Sequence, residues 1–174
     1  GNWQDNFRLY AEALGHSDEA EKQLQDYQDQ VQQLSNLIGS PSALQVSVIT
    51  QSGDSLGSYT TGSFAGAVLQ DVGLARNPAQ VQSDRFAIQL SQERLDTIDG
   101  DLLFLIHTYH LADSVSQSDF VADPLWSQLA VVQQGGVCEV NGAVWIAGRG
   151  ILAAQQILRD VEKCWRQVAQ NQTE

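Results

Sequence analysis

Five consecutive apolar residues, Leu102 to Ile106 in the run DLLFLIH, constrain the fold more than any other feature of the chain. A strand with one wet face alternates apolar and polar side chains, whereas an unbroken apolar strand has both faces covered, the pattern of a parallel sheet lying between helices. Three further short runs read as strands: LQVSVIT (44–50), FAIQL (86–90) and VCEV (137–140).

Helical periodicity fills the intervals. NWQDNFRLYAEALG sets Trp3, Phe7, Tyr10, Ala11 and Leu14 at helical spacing, with Gly15 as a stop. From Ser17, a capping residue, the next segment places Ala20, Leu24, Tyr27, Val31, Leu34 and Ile38 on one stripe, with acids in its first turn, and ends at Gly39. FAGAVLQDVGL and the long final segment ILAAQQILRDVEKCWRQVA are also helical. SQERLDTI reads as a short helix capped by Ser91, and DPLWSQL as a helical turn or two. QSGDSLGSYTTGSF and NPAQVQSDR read as loops. Strands alternating with helices predict an α/β domain with a largely parallel sheet.

The 174 residues suit about one domain. A formal charge of −12 with no Lys/Arg cluster argues against nucleic acid as a partner. The two cysteines, Cys138 and Cys164, form no disulfide framework or metal-ligand spacing and read as two buried or partly buried thiols. No apolar run approaches the ~18 residues of a membrane span and no signal peptide is present, so a soluble chain is expected. The absence of methionine and a first segment already helical predict a piece of a longer protein.

Chemical motifs are sparse. Gly148-Arg149-Gly150 with Ala153 satisfies a loose G-x-G-x-x-A dinucleotide pattern, but only one helix follows, with no second strand to carry the ribose-binding acid. His107 and His110 lack a third metal ligand nearby, and Asp99 and Asp101 read as solvated residues at a strand entry. There is no nucleophile elbow, P-loop or catalytic-cysteine pattern, and no enzyme is expected.

The order of the pieces resembles the C-terminal half of a periplasmic substrate-binding protein, closest to the iron-siderophore binders that feed ABC importers and share their fold with cobalamin and heme binders. S-x-E-x-L-x-x-x-D-x-D-x-x-F from Ser91 to Phe104, then DPLW, then W-x-x-G from Trp145 to Gly148, carry the resemblance. It implies a three-layer Rossmann-like lobe with a mostly parallel central sheet. Residues 1–14 would be the end of a long interdomain helix and 15–174 the C-terminal ligand-binding lobe, the other lobe lying outside this chain. It further implies export or lipid anchoring at the cell envelope, a ferric siderophore as ligand without a resident cofactor, and permease subunits of the transporter as partners.

Site residues follow by position. Phe64 stands after Gly62-Ser63, where binders of catecholate siderophores often have Arg, so the catecholate version is weakened. Arg85 falls in the loop before the S-x-E segment, and His107, Thr108 and Tyr109 at the end of the D-x-x-F strand. Trp145 is implied to pack against the ligand, with Arg149 next in reach and Tyr59 completing an aromatic wall, a composition suited to bulky, frequently anionic chelates. Glu93 is the implied permease-docking glutamate. Read without the resemblance, Trp145 is a core aromatic, Arg85 and Arg149 are solvated cations, Tyr59 is a loop packing residue and Glu93 a helix-start acid. Heme or cobalamin, with His107 or His110 reaching a metal, stays open as ligand. So do a chelatase-like or nucleotide-binding enzyme, and an interaction domain working through the helix Ser17 to Ile38.

Overall fold

The computed structural model describes residues 3–52, 55–82, 84–91, 93–107 and 115–171. Two antiparallel-turning helices come first, α1 (Trp3–Leu14) and α2 (Ser17–Ile38), followed by strands β1 (Gln45–Ser52) and β2 (Ser55–Tyr59). Then come α3 (Phe64–Val72), β3 (Ala75–Arg76), β4 (Ala87–Leu90) and β5 (Leu102–His107). The chain closes with α4 (Gln117–Ala122), α5 (Ala130–Gln133), β6 (Val137–Asn141), α6 (Gly142–Trp145) and α7 (Ile151–Asn171).

The strands form one sheet in the order β4-β2-β1-β5-β6. β1, β3, β5 and β6 run parallel, and β3 pairs with the start of β1 while β2 pairs antiparallel with its end. β4 continues the antiparallel edge beyond β2.

The unbroken apolar run explains itself in the layers. On β5, Leu102, Phe104 and Ile106 pack toward α2, α3 and α7, while Leu103 and Leu105 pack on the other face with Phe120, Trp126 and Val131. Neither face of the strand meets water, so alternation has nothing to select for. The result is a three-layer α/β lobe with a mostly parallel sheet, as the alternation of elements predicts. α1 lies on α2, anchored by Trp3, whose ring meets Tyr27 edge-on at 5.2 Å and Phe64 at 5.7 Å.

Four sequence expectations are corrected. The Gly/Ser-rich segment expected as a loop contains β2: Leu56 is buried, and the Ser58 hydroxyl donates to the Val48 carbonyl at 3.0 Å, so a polar residue is satisfied inside the sheet. SQERLDTI forms only a 3₁₀ turn, Leu95–Thr97, where the Thr97 hydroxyl donates back to the Arg94 carbonyl at 2.5 Å and competes with continued helix. DPLWSQL forms turns, and the helix begins only at Ala130, where Asp99 accepts from the Ala130 and Val131 N–H groups. Cys138 and Cys164 are a disulfide, joining β6 to α7 across 26 residues, rather than two thiols. Residues so distant in sequence gave no spacing signal for a pair.

Candidate functional site

Two of the residues singled out in the sequence meet at one concavity. Phe64, the first residue of α3, and Arg149, in the turn before α7, line a hollow of about 400 Å³ with Trp3, Asn6, Gly62 and Asp71. The Gly148 turn reaches this place because Gly148 packs directly on the Val144 carbonyl and the Ala153 side chain, leaving no space for a Cβ. Gly148 therefore serves chain packing at the head of α7, whereas a Cβ at Gly150 would meet open space.

One wall of the hollow is the stretch Thr61–Phe64 that follows β2, and hydrogen bonds rather than apolar packing shape it. Ser63 caps α3, its hydroxyl accepting from the Gly66 N–H at 2.9 Å and donating to the Thr60 carbonyl at 2.7 Å. Gly66 is required there, since a Cβ would collide with the Thr60 carbonyl. Thr60 N–H donates to the Phe86 carbonyl, Thr61 N–H to Gln80 and Gly62 N–H to Gln82, each at 3.0–3.1 Å. The Thr60 hydroxyl also donates to the Arg85 carbonyl. These bonds bind the 80–86 loop to the turn and bring Arg85 beside it. Arg85 is exposed, 4.0 Å from Asp84, and its neighbour Phe86 is 70% exposed, an uncommon placement for so large an apolar side chain.

Behind the turn lies a charge that sequence reasoning missed. Arg76, on β3, is 8% exposed. It donates from Nε to the Val46 carbonyl (3.2 Å) and from Nη2 to the Tyr59 carbonyl (2.5 Å) and Gln80 Oε1 (2.8 Å). Its Nη1 is buried without a hydrogen-bond partner among the described residues. Burial pulls its pKa down to about 10. Gln80, fully buried, is the junction of this network: its Oε1 also accepts from the Val48 N–H, and its Nε2 donates to Ser47 and Thr97. An Arg in the sequence GLARNP carries no pattern that announces burial, so only its neighbours in space identify it.

The other singled-out residues disperse. Tyr59 is half-buried against the core, and burial raises its hydroxyl pKa. His107 is half-buried at the end of β5, with Nδ1 3.5 Å from the Val115 carbonyl. Tyr109, with Thr108 and His110, lies outside the described residues. Glu93 is exposed in the turn after β4. Trp145 is corrected: it is 1% exposed, packs on Phe104 with centroids 4.7 Å apart and ring planes tilted by 32°, and donates from Nε1 to Asp160 Oδ2 at 2.8 Å. Its ring is core, held between β5 and α7, and gives no face to the hollow. On the rim, Asp71 turns Oδ2 onto the Tyr27 hydroxyl (2.7 Å), and burial of the carboxyl raises its pKa. Among the described residues, no three metal-ligating side chains cluster and no helix is long and apolar enough to cross a membrane.

Known proteins share this architecture. The family model "Periplasmic binding protein" matches residues 1–143. A protein of Bacillus subtilis named "Probable siderophore-binding lipoprotein YfiY" is 33% identical over 173 residues, covering 93% of this chain and 53% of the relative. The achromobactin-binding periplasmic protein of Dickeya dadantii is 27% identical, with 90% of this chain and 53% of the relative covered. The chain thus spans about half the length of these curated relatives. Among solved structures, Staphylococcus aureus SirA complexed with staphyloferrin B superposes with a TM-score of 0.77 at 24% identity, covering 95% of this chain and 61% of that one. FhuD2 from the same organism, with bound ferrioxamine B, gives 0.78 at 15% identity, covering 97% and 66%. With the family model matched over most of the sequence and the lobe's fold shared with these structures, the chain belongs to the periplasmic binding protein family.

Proposed function

We propose that the chain is the C-terminal lobe of the substrate-binding component of an ABC importer, which captures a ferric siderophore between two lobes and delivers it to the membrane permease without catalysis. The observation that carries the reading is the hollow at the Thr61–Phe64 turn. It is open, walled by the aromatic rings of Phe64 and Trp3 and flanked by Arg149, a composition suited to a bulky chelate. The names of the relatives point the same way, one to a siderophore, one to achromobactin and a third, YfmC, to Fe(3+)-citrate.

On this reading α1 is the end of the interdomain helix. Leu9, Tyr10 and Leu14, exposed along it, fit a helix whose outer face meets further protein. Glu93, exposed after β4, would dock on the permease. Placement at the cell envelope suits the Cys138–Cys164 disulfide, which persists in oxidising compartments.

Titrating the full-length protein with ferric hydroxamate, catecholate and carboxylate siderophores, while following tryptophan fluorescence, tests the proposal. Trp3 borders the hollow and is expected to be quenched. No response to any of the three classes would refute a siderophore receptor.

A further inference from the structure

The two edges of the sheet are finished differently. At β6, Gln117 closes the edge, donating from Nε2 to the Val137 carbonyl at 2.6 Å and from its N–H to Glu139 Oε2 at 2.9 Å. At β4 the only ladder is the one to β2 among the described residues. The Thr60 N–H donates to the Phe86 carbonyl, so Phe86, Ile88 and Leu90 turn their backbone groups toward Thr60, Ser58 and Leu56. The N–H and C=O of Ala87 and Gln89 therefore point away from the sheet, and no described residue meets them. Natural edges are commonly protected by charge, proline or a bulge. The stretch FAIQL, Phe86 to Leu90, has neither a charged residue nor a proline. Its side chains are also incompletely covered: Phe86 is 70% exposed, and Ile88 and Leu90 are only half-buried although they continue the face on which Leu56 enters the core.

The edge is complementary to itself. A two-fold axis at Ile88 sets two copies of β4 antiparallel with Ala87 opposite Gln89 at either side, and each such pair exchanges two hydrogen bonds between outward groups. Ile88 then faces Ile88 of the second copy, and Phe86 comes to its Leu90, so the half-covered apolar row is covered by its own repeat. A slip of one residue would set outward groups against inward ones and turn the apolar row to the other face. Charge selects the same partner. Two chains of net charge −12 repel and can meet only where that charge is absent or answered, and this edge is uncharged along its strand. Beyond its ends stand Arg85, exposed and 4.0 Å from Asp84, and the exposed Glu93. Antiparallel pairing brings the Arg85 end of each copy to the Glu93 end of the other.

We infer that the β4 edge is a homodimer interface, through which the sheets of two copies join antiparallel about Ile88. The seam is small, so the dimer is a weak, concentration-dependent one. The inference is independent of the receptor reading, since it requires neither a chelate nor the hollow at Phe64.

The test is sedimentation equilibrium of the full-length protein, without chelate, over roughly 1 µM to 1 mM, the range of weak association. The weight-average mass is expected to rise from the monomer toward twice its value. Gln89→Pro removes an N–H that leaves the sheet, a position where an edge strand accepts proline, and takes two bonds from the symmetric seam. It is expected to weaken the dimer about tenfold or more. Phe86→Glu, at an exposed position, is expected to act in the same direction and decides the matter if Gln89→Pro does not fold. Ile88→Cys reads the register: facing Cα atoms about 4.5 Å apart suit a disulfide, so mild oxidation is expected to cross-link this variant and to leave Leu90→Cys monomeric. A monomer over the whole range overturns the proposal and assigns the edge to cover by the rest of the protein, or to none. A dimer that is unchanged by both Gln89→Pro and Phe86→Glu overturns it by placing the interface elsewhere, and cross-linking of Leu90→Cys in preference to Ile88→Cys overturns the two-fold at Ile88. Loss of chelate binding alters none of these outcomes, so the receptor reading and this inference fail separately.

Discussion

Trp145→Phe separates a core tryptophan from a ligand-facing one. Two losses follow from the geometry. The Nε1 donation to Asp160 Oδ2, 2.8 Å long, disappears, and hydrogen bonds to charged acceptors contribute about 1.5–3 kcal/mol each. Asp160 keeps its second oxygen on Gln156 Nε2, also at 2.8 Å, so the carboxylate is not stranded and the lower half of that range applies. Replacing indole by phenyl against Phe104 leaves a void of roughly 40 Å³, which adds about 1 kcal/mol. The sum is about 3 kcal/mol, a fall in Tm of about 6–12 °C for a domain of this size. Calorimetry gives the shift, and a parallel chelate titration is expected to change by less than about twofold. A Tm within a degree of wild type, together with lost chelate binding, would refute the core assignment and return Trp145 to the cleft.

Other consequences are equally direct. The Cys138→Ser/Cys164→Ser double variant frees a 26-residue loop and is expected to lose about 3.5 kcal/mol in urea unfolding; unchanged stability would mean the cross-link does not form. Tyr27 is fully buried with its hydroxyl on Asp71, and burial holds its pKa far above the ordinary value of 10.0. The folded state therefore keeps a proton that the unfolded chain releases, so this contribution is complete below pH 10 and erodes above it, by about 1.4 kcal/mol per pH unit. Tyr27→Phe is expected to flatten the alkaline limb of the stability profile by one proton, and an unaltered slope would assign that limb to other groups. Glu93→Ala, at an exposed position, is expected to leave stability and chelate affinity unchanged and to lower uptake by cells; normal uptake would remove Glu93 from permease docking.

What was legible in the sequence depended on which force placed each residue. β5 and α7 were readable because burial on a defined face imposes a period, or, for a strand covered twice, the absence of one. β2 was not, because Gly57 and Ser58 satisfy the sheet through close packing and a hydroxyl bond, while their composition reads as loop. Trp145 illustrates the converse. A tryptophan near glycines resembles a ligand platform in one dimension, and only Phe104 and Asp160, 41 and 15 positions away, determine that it is core.

The candidate site was the least legible part for the same reason. Phe64 and Arg149 meet across 85 residues of chain because α3 and the turn before α7 converge, and no local pattern encodes that meeting. The turn between them is held by backbone donors to the 80–86 loop, which any residue type supplies. Arg76 lies deeper still: it is identified by what it touches, the carbonyls of Val46 and Tyr59 and the Gln80 amide oxygen, 30, 17 and 4 positions away. None of these partners shares a helical or strand period with Arg76, so its burial is a property of how β1, β2 and β3 come together rather than of the residues beside it.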